Sequence, residues 1–361
     1  VIRLVISATN LVEGGGLQVL RDCVDAAARL SDTVETTVIV HDRALLSDRQ
    51  DVAIIEMPKV KGSWFRRIYN EYVGFRGFSK NLKADVWLSL HDMTPNVISA
   101  RQYVYFHNPS PFFKMNVRQM INSPSFAIFN AFYGFLYRAN IHRNKAVIVQ
   151  QNWFGRECAR RYGAREIIVA APKAFDDVDA KVSAGPARVF LYPAFPRVFK
   201  NFEVICQAVR ELERDPDWAG EVRFTISGTE NRYARWIARL AQDVPSVRLV
   251  GRQDAAGMRR HYGEADVVLF PSKLETWGLP ITEAKAYGKA LLLADLPYAH
   301  ESLGHYDGAR FVAPDSAGAW AQAMRDAAIG RYGFTPIDGD ALGKLDFAGW
   351  DALLAHLVKA A

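Results

Sequence analysis

The chain has 361 residues, half of them hydrophobic and 23% charged, with a formal net charge of +6. That length suits two domains with separate cores, and the composition excludes a disordered, collagen-like or disulfide-rich chain. The modest positive balance fits an anionic ligand or membrane surface and does not demand nucleic acid. Cys23, Cys158 and Cys206 are odd in number, far apart and without metal-ligand spacing; two lie in helix-like segments and read as small core hydrophobes, and a reducing, cytoplasmic setting is expected. The sequence opens directly on an apolar strand with no charged leader or cleavage site, so no secretory signal is expected. The most apolar window, 126–137, is too short to span a bilayer.

In chain order, Ile2 to Ser7 reads as the first strand and Leu17 to Leu30 as an amphipathic helix. The run Gly14-Gly15-Gly16 between them is either a flexible turn or a place where backbone approaches a ligand closely. It is not the dinucleotide fingerprint. Strands follow at 36–41 and 52–56. From Lys59 to Lys80 the chain alternates Lys59, Lys61, Arg66, Arg67, Arg76 and Lys80 with six aromatic residues, and Glu71 is the only acid. Such a pattern fits an anionic membrane interface or a surface helix with its rings packed inward; single-stranded nucleic acid ranks last because no nucleic-acid-binding motif accompanies it. The strand 86–90 ends in His91-Asp92, and 103–106 ends in His107-Asn108-Pro109. Residues at the carboxyl ends of parallel strands project toward a ligand. The aromatic run 112–137 is either core or a guide for a lipid-linked ligand. Strands at 146–150 and 167–170 close a first domain spanning 1–175, and the polar, proline-containing stretch 172–186 reads as a linker.

The second domain, 187–335, begins with strand 188–192 and a loop carrying Arg197 and Lys200. Phe202, Ile205, Val209 and Leu212 then mark the core face of a helix. Lys200 stands just before that helix, where its ammonium adds to the helix dipole at a phosphate site. Strand 222–227 ends at Gly228, strand 247–251 leads into Arg252, and further strands are expected at 266–270, 290–294 and 311–312. Trp320, Met324 and Ala327 form another helix face. The alternation of strand and helix predicts a doubly wound α/β domain. A final helix within 336–361 either stays with this domain or crosses back to the first.

The most informative stretch is Phe270-Pro-Ser-Lys-Leu-Glu275-Thr-Trp-Gly278-Leu-Pro-Ile-Thr-Glu283-Ala-Lys-Ala-Tyr-Gly288. It reads as a buried strand, an exposed loop and a short helix with Pro280 at its first position. The free N–H groups around Leu279 to Ile281 make that helix start an anion site. Pro-Ser-x-x-Glu-Thr-x-Gly-Leu-Pro-x-x-Glu-Ala, with the match continuing through Ala294-Asp295 and Pro297 to Glu301, resembles the Glu-x7-Glu signature of retaining family-4 glycosyltransferases. These have the GT-B fold, two Rossmann-like doubly wound α/β domains facing a central cleft.

The resemblance implies a retaining, metal-independent transferase moving a sugar from a UDP- or GDP-sugar to a glycan or polyprenyl-linked glycan acceptor. Glu275 would face the sugar, Glu283 the ribose hydroxyls, and Lys200 the diphosphate. His107 would lie close to the donor sugar, and Gly15 and Gly16 near the diphosphate. Gly228, Arg252, Thr276, Gly278 and Leu279 would line the nucleotide pocket. Tyr192-Pro-Ala replaces the Gly-Arg that the family carries before its lysine, so Arg197 is the candidate second cation. His91 and Asp92 are weaker candidates for the acceptor side. Asp177-Val-Asp179 matches the Asp-x-Asp metal motif of the other glycosyltransferase fold only superficially, and no metal or cofactor is expected. Bacterial surface polysaccharide synthesis (O-antigen, capsule or exopolysaccharide) at the inner face of the cytoplasmic membrane is the implied setting, with segment 59–80 touching anionic lipid. A sugar-nucleotide epimerase of the same fold and a non-catalytic assembly partner are the alternatives.

Overall fold

The computed structural model describes residues 1–11, 14–58, 64–171, 182 and 185–359. Lys59, Lys61 and the Asp177–Asp179 pair lie outside the described residues. The strands, in chain order, are β1 (Ile2–Ser7), β2 (Val34–Val40), β3 (Ala53–Glu56), β4 (Ala84–Ser89), β5 (Ser99–Phe106), β6 (Ala146–Val149), β7 (Ile167–Ala171), β8 (Val189–Tyr192), β9 (Glu221–Phe224), β10 (Val247–Leu249), β11 (Val267–Phe270), β12 (Ala290–Ala294), β13 (Ala309–Val312) and β14 (Phe347–Ala348). They form two sheets in two compact units.

Unit 1 comprises Val1–Pro111, Ala131–Ala174 and Lys344–Ala361. Its eight strands run in the order β14-β7-β6-β5-β4-β1-β2-β3, all pairings parallel. Successive side chains of a strand point to opposite faces, and both faces here are buried. Leu4, Ile6, Val38, Val40, Val86 and Leu88 enter one core cluster, while Val5, Ile39 and Trp87 enter another. The first cluster is closed by helices Gly14–Ala28 and Gly349–Lys359, through Leu20, Cys23 and Val24 from one and Leu353, Leu354 and Leu357 from the other. The chain's last helix therefore belongs to unit 1. The second cluster is closed by Phe75 and Phe78 of helix Phe75–Leu82.

Unit 2 comprises Phe112–Asn130 and Phe175–Gly343. Sequence order alone assigns 112–130 to the first domain, but this stretch groups with the second. The reason is aromatic: the Phe113 and Phe126 rings meet Phe199 at 6.0 and 5.8 Å between centroids, and the Arg118 guanidinium lies 5.9 Å from the centre of the Trp236 ring. The sheet order is β10-β9-β8-β11-β12-β13, wholly parallel. Numbered from β8, that is the 3-2-1-4-5-6 order of a dinucleotide-binding half-molecule. Its central strands β11 and β12 are fully buried, as the unbroken apolar runs require of a sheet covered on both faces. Helix Phe202–Leu212 packs its apolar face beside helix Ala317–Ala328, which contributes Trp320, Met324 and Ala327 to the core.

Candidate active site

In a sheet of order 3-2-1-4-5-6, the crevice at the point of strand reversal opens outside the carboxyl ends of strands 1 and 4. In unit 2 these are β8 and β11, and the loops that leave them carry Lys200 and Glu275. The loop after β8 ends in a tight turn, Val198–Lys200, followed by Asn201 in the left-handed region at φ 58°. The Asn201 side-chain amide donates to the carbonyls of Pro271 (3.2 Å) and Pro314 (2.8 Å), tying the ends of β8, β11 and β13 together. The Tyr192 hydroxyl donates to the Lys200 carbonyl at 2.5 Å, and the Lys273 N–H to the Phe199 carbonyl at 2.7 Å. A loop pinned at four points holds the Lys200 ammonium in one place. That ammonium forms an ion pair with the Glu275 carboxylate, both side chains being 14% exposed. It also lies 5.4 Å from the Phe270 ring centre. Arg197 stands 5.6 Å over Phe195 and feels the Glu275 charge.

The Glu275 loop is shaped by residues that its apolar-polar pattern does not reveal. Buried Ser272 donates to the Leu274 carbonyl (3.2 Å), and Tyr298 donates to the Ser272 carbonyl (2.6 Å). The Trp277 indole donates to the Thr282 hydroxyl at 3.1 Å, and Ser302 donates to the Trp277 carbonyl. Gly278 caps helix Leu279–Ala286 at φ 78°, and a Cβ there would stand 3.2 Å from the Phe270 ring. Only glycine meets both conditions without strain. Leu279 rather than Pro280 is the first helical residue, since the left-handed Gly278 starts the turn one residue earlier than expected. Thr276 is half-buried on the same loop.

Glu283, one turn into that helix, accepts from the Tyr262 hydroxyl at 2.6 Å, and Tyr262 stacks on Tyr287 at 5.2 Å. Burial raises the Glu283 pKa, and the Tyr262 hydrogen bond opposes the rise. Gly228 follows β9 at φ 82°, where a Cβ would lie 2.7 Å from that of Ala238. Arg252 is exposed after β10.

In unit 1 the corresponding switch point lies between β1 and β4. The glycine run proves to be the first turn of helix Gly14–Ala28 rather than a loop before it, so Gly15 and Gly16 contribute backbone N–H groups at a helix start. A Cβ on Gly16 would press to 3.2 Å of Leu11. His91 and Asp92 follow β4, and both are buried. His91 Nδ1 faces the Ser7 carbonyl at 3.0 Å and Nε2 faces Glu71 at 2.6 Å. A carbonyl only accepts, so His91 Nδ1 is the donor to Ser7. Asp92, at φ 62°, accepts from the N–H groups of His107 (2.7 Å) and Asn108 (3.0 Å) and from the Tyr137 hydroxyl (3.1 Å). Its other oxygen is 3.5 Å from His107 Nε2. Both side chains are buried, and Asp92 fixes the turn carrying His107, whose side chain is 24% exposed. Glu71 and Tyr262 were not singled out from sequence as site neighbours, although Glu71, the lone acid among cations, carried a signal.

These two units, each a wholly parallel sheet with polar residues gathered at its switch point, define a class: the chain has the GT-B fold. Residues 187–328 match the model of the family "Glycosyl transferases group 1". Three solved structures align over nearly the whole chain. Sucrose-phosphate synthase from Thermosynechococcus elongatus gives a TM-score of 0.66 at 15% identity, covering 100% of both chains. Anabaena HepE in complex with UDP-glucose gives 0.63 at 13%, also covering 100% of both. WaaG, a glycosyltransferase involved in lipopolysaccharide biosynthesis, gives 0.64 at 13%, covering 99% of this chain and 100% of that one. No curated protein sequence matches. The family match and the fold together support a glycosyltransferase.

Proposed function

We propose that the protein transfers a sugar from a UDP- or GDP-sugar to a glycan or polyprenyl-linked glycan acceptor, with retention of anomeric configuration. The observation that carries this reading is the Lys200–Glu275 ion pair at the strand-reversal point of unit 2. Breaking a sugar–phosphate bond gathers negative charge on the diphosphate and positive charge on the sugar. A fixed ammonium beside a fixed carboxylate answers both charges, and preorganised charges favour the transition state over the ground state. Arg197 and the N–H groups at the Leu279 helix start add positive potential without a metal ion. Glu283 takes the ribose hydroxyls, with Tyr262 orienting its carboxylate, and Gly228, Arg252 and Thr276 border the nucleotide. We assign His107 to the donor sugar and the Gly15–Gly16 turn to the diphosphate.

The UDP-glucose in the HepE structure supports a nucleotide-sugar donor, and the described role of WaaG supports an acceptor in bacterial surface polysaccharide synthesis. Among the described residues no helix is long and apolar enough to cross a membrane. A peripheral contact is supported by the helical stretch Trp64–Leu82. Arg67, Glu71, Phe75 and Ser79 are buried at four-residue intervals, while Phe65 (86% exposed), Tyr69 (61%) and Val73 (55%) face solvent with Arg66, Arg76 and Lys80 nearby in sequence. Exposed rings flanked by cations suit an anionic lipid interface. The test is a panel of UDP- and GDP-sugars scored for thermal stabilisation, then for transfer to lipid-linked glycans with the product anomer read by NMR. Stabilisation by no nucleotide overturns the reading, and conversion of the donor to an epimer without acceptor makes the protein an epimerase.

A further inference from the structure

In unit 1 the helical stretch Trp64–Leu82 is joined to the last two turns of helix Pro124–Arg138 by the Tyr72 hydroxyl, which donates to the Leu136 carbonyl at 3.2 Å. Both have the same two-sided build. Phe65, Tyr69 and Val73 of the first and Phe132 (66%) and Phe135 (71%) of the second stand in solvent. Arg66, Arg76, Lys80 and Arg138 are exposed on the same two stretches, and their one acid, Glu71, is fully buried.

The inner sides reach a single turn. From the first stretch, Arg67 donates to the His91 carbonyl at 3.3 Å and Glu71 meets His91 Nε2 at 2.6 Å. From the second, the Tyr137 hydroxyl is within reach of both Asp92 (3.1 Å) and the Asn108 carbonyl, and Tyr133 bonds Arg67. Asp92, next to His91, receives the N–H groups of His107 and Asn108. The middle of the first stretch, Asn70–Gly74, is a π turn, a rare form that occurs mostly at functional places. Those five residues carry both the inward Glu71 and the outward Val73.

The outer sides specify their occupant. Rings and cations without an exposed acid fit an anionic bilayer, the rings entering the acyl boundary and the cations meeting headgroups. A second copy of the chain fits poorly. In a two-fold contact the same cations would oppose one another, with no exposed acid on either stretch to answer them.

We propose that an anionic bilayer seated on both helices acts as a positive regulator: it holds the helices and, through Arg67, Glu71 and Tyr137, fixes the turn that presents His107. The inference rests on the peripheral contact and the His107 role proposed above. It adds a second lipid-facing helix and a route from the lipid to the reacting residues. A bilayer orders the turn only as far as it binds the ordered arrangement more tightly, so the effect is read at the turn itself.

The test mixes the full chain with phosphatidylcholine vesicles, with and without about one-third phosphatidylglycerol. Binding is followed by flotation, and hydrogen exchange is followed in the peptide bearing the His107 and Asn108 amides. Binding should be at least about tenfold tighter to the anionic vesicles, and exchange of those amides at least about threefold slower on them. Phe65→Ser combined with Phe135→Ser, both at exposed positions, should weaken vesicle binding about tenfold or more and abolish the slowing. Glu71→Gln and Tyr137→Phe should bind vesicles like the wild type yet lose the slowing. Those two sites are buried, so if the variants fold poorly the wild-type and surface-variant measurements decide alone. Equal binding to both kinds of vesicle overturns the surface. Tight binding with unchanged exchange at His107 and Asn108, or full slowing in both buried variants, overturns the route. A lipid-free dimer that the Phe65, Phe135 double variant dissolves makes the face a self-contact and overturns it too. UDP and GDP stabilisation is measured on the same preparation: its absence with the slowing intact overturns the transferase reading and not this one.

Discussion

The Lys200 ammonium is paired with the Glu275 carboxylate across loops that leave two adjacent strands 75 positions apart in sequence. Lys200 ends the short turn Val198–Lys200, and Glu275 lies on a loop. Asn201, Tyr192 and the Lys273 N–H fix one loop, and Ser272, Tyr298 and Ser302 fix the other. Such a pair is set before any donor arrives, as electrostatic preorganisation requires.

Lys200→Ala should lower transfer about 10²- to 10³-fold in kcat, the scale of losing one preorganised charge at a developing anion. It also leaves Glu275 without its ion-pair partner in a mostly buried site. Lys200→Met keeps an unbranched side chain beside Phe270 without the charge and should be folded yet equally slow, which separates catalysis from packing. Steady-state kinetics with a circular-dichroism melt of both variants checks this.

Glu283 gives a pH signature. Burial raises its pKa in the free protein, whereas accepting ribose hydroxyls requires the ionised form. Binding must then expel a proton at acid pH, so nucleotide affinity should fall as pH drops through the raised Glu283 pKa and level off above it. Glu283→Gln should bind about tenfold or more weakly with that dependence flattened. Isothermal titration in buffers of different ionisation heat reads both affinity and proton release.

Glu203 makes a stability prediction of defined sign. Burial raises its carboxyl pKa above the ordinary value, with the Tyr233 hydroxyl opposing the rise. A raised acid costs the folded state nothing below the unfolded pKa of about 4.3 and progressively more above it, up to the folded value. Glu203→Gln, which can still accept from Tyr233, should match wild type near pH 4 and gain relative melting temperature as pH rises. A gain that shrinks with rising pH would contradict this.

Asp92→Asn should keep the left-handed backbone, which asparagine tolerates, while weakening the oxygen that receives the His107 N–H, the Asn108 N–H and the Tyr137 hydroxyl. The expected loss is about 1–3 kcal/mol in urea unfolding. The turn that presents His107 should loosen, so activity should fall with little change in nucleotide affinity.

Much of the architecture was legible because parallel strands buried on both faces read as short apolar runs: β1, β11 and β12 declare themselves that way. The spacing of a long motif draws attention to Glu275, and Lys200 stands out by its place just before helix Phe202–Leu212. What escaped was whatever depends on contacts distant in sequence. The glycines 14–16 look like a loop, yet they start a helix because helix Gly14–Ala28 is held by its core face. Tyr262 gives no sign in sequence of its bond to Glu283, 21 residues away. Residues 112–130 leave the first unit because of rings that meet Phe199. His91 looks like a ligand-facing residue and is instead sealed against Ser7 and Glu71.

The most direct test of the central claim is calorimetric binding of UDP, GDP and their sugars to wild-type protein and to Lys200→Met, in buffer without divalent metal. The account predicts that one nucleotide diphosphate family binds the wild type and loses affinity about tenfold or more in the variant, while the matching nucleoside, lacking phosphate, is indifferent to the change. Equal diphosphate affinity in the two proteins would contradict a phosphate role for Lys200 and, with it, the proposed reaction site.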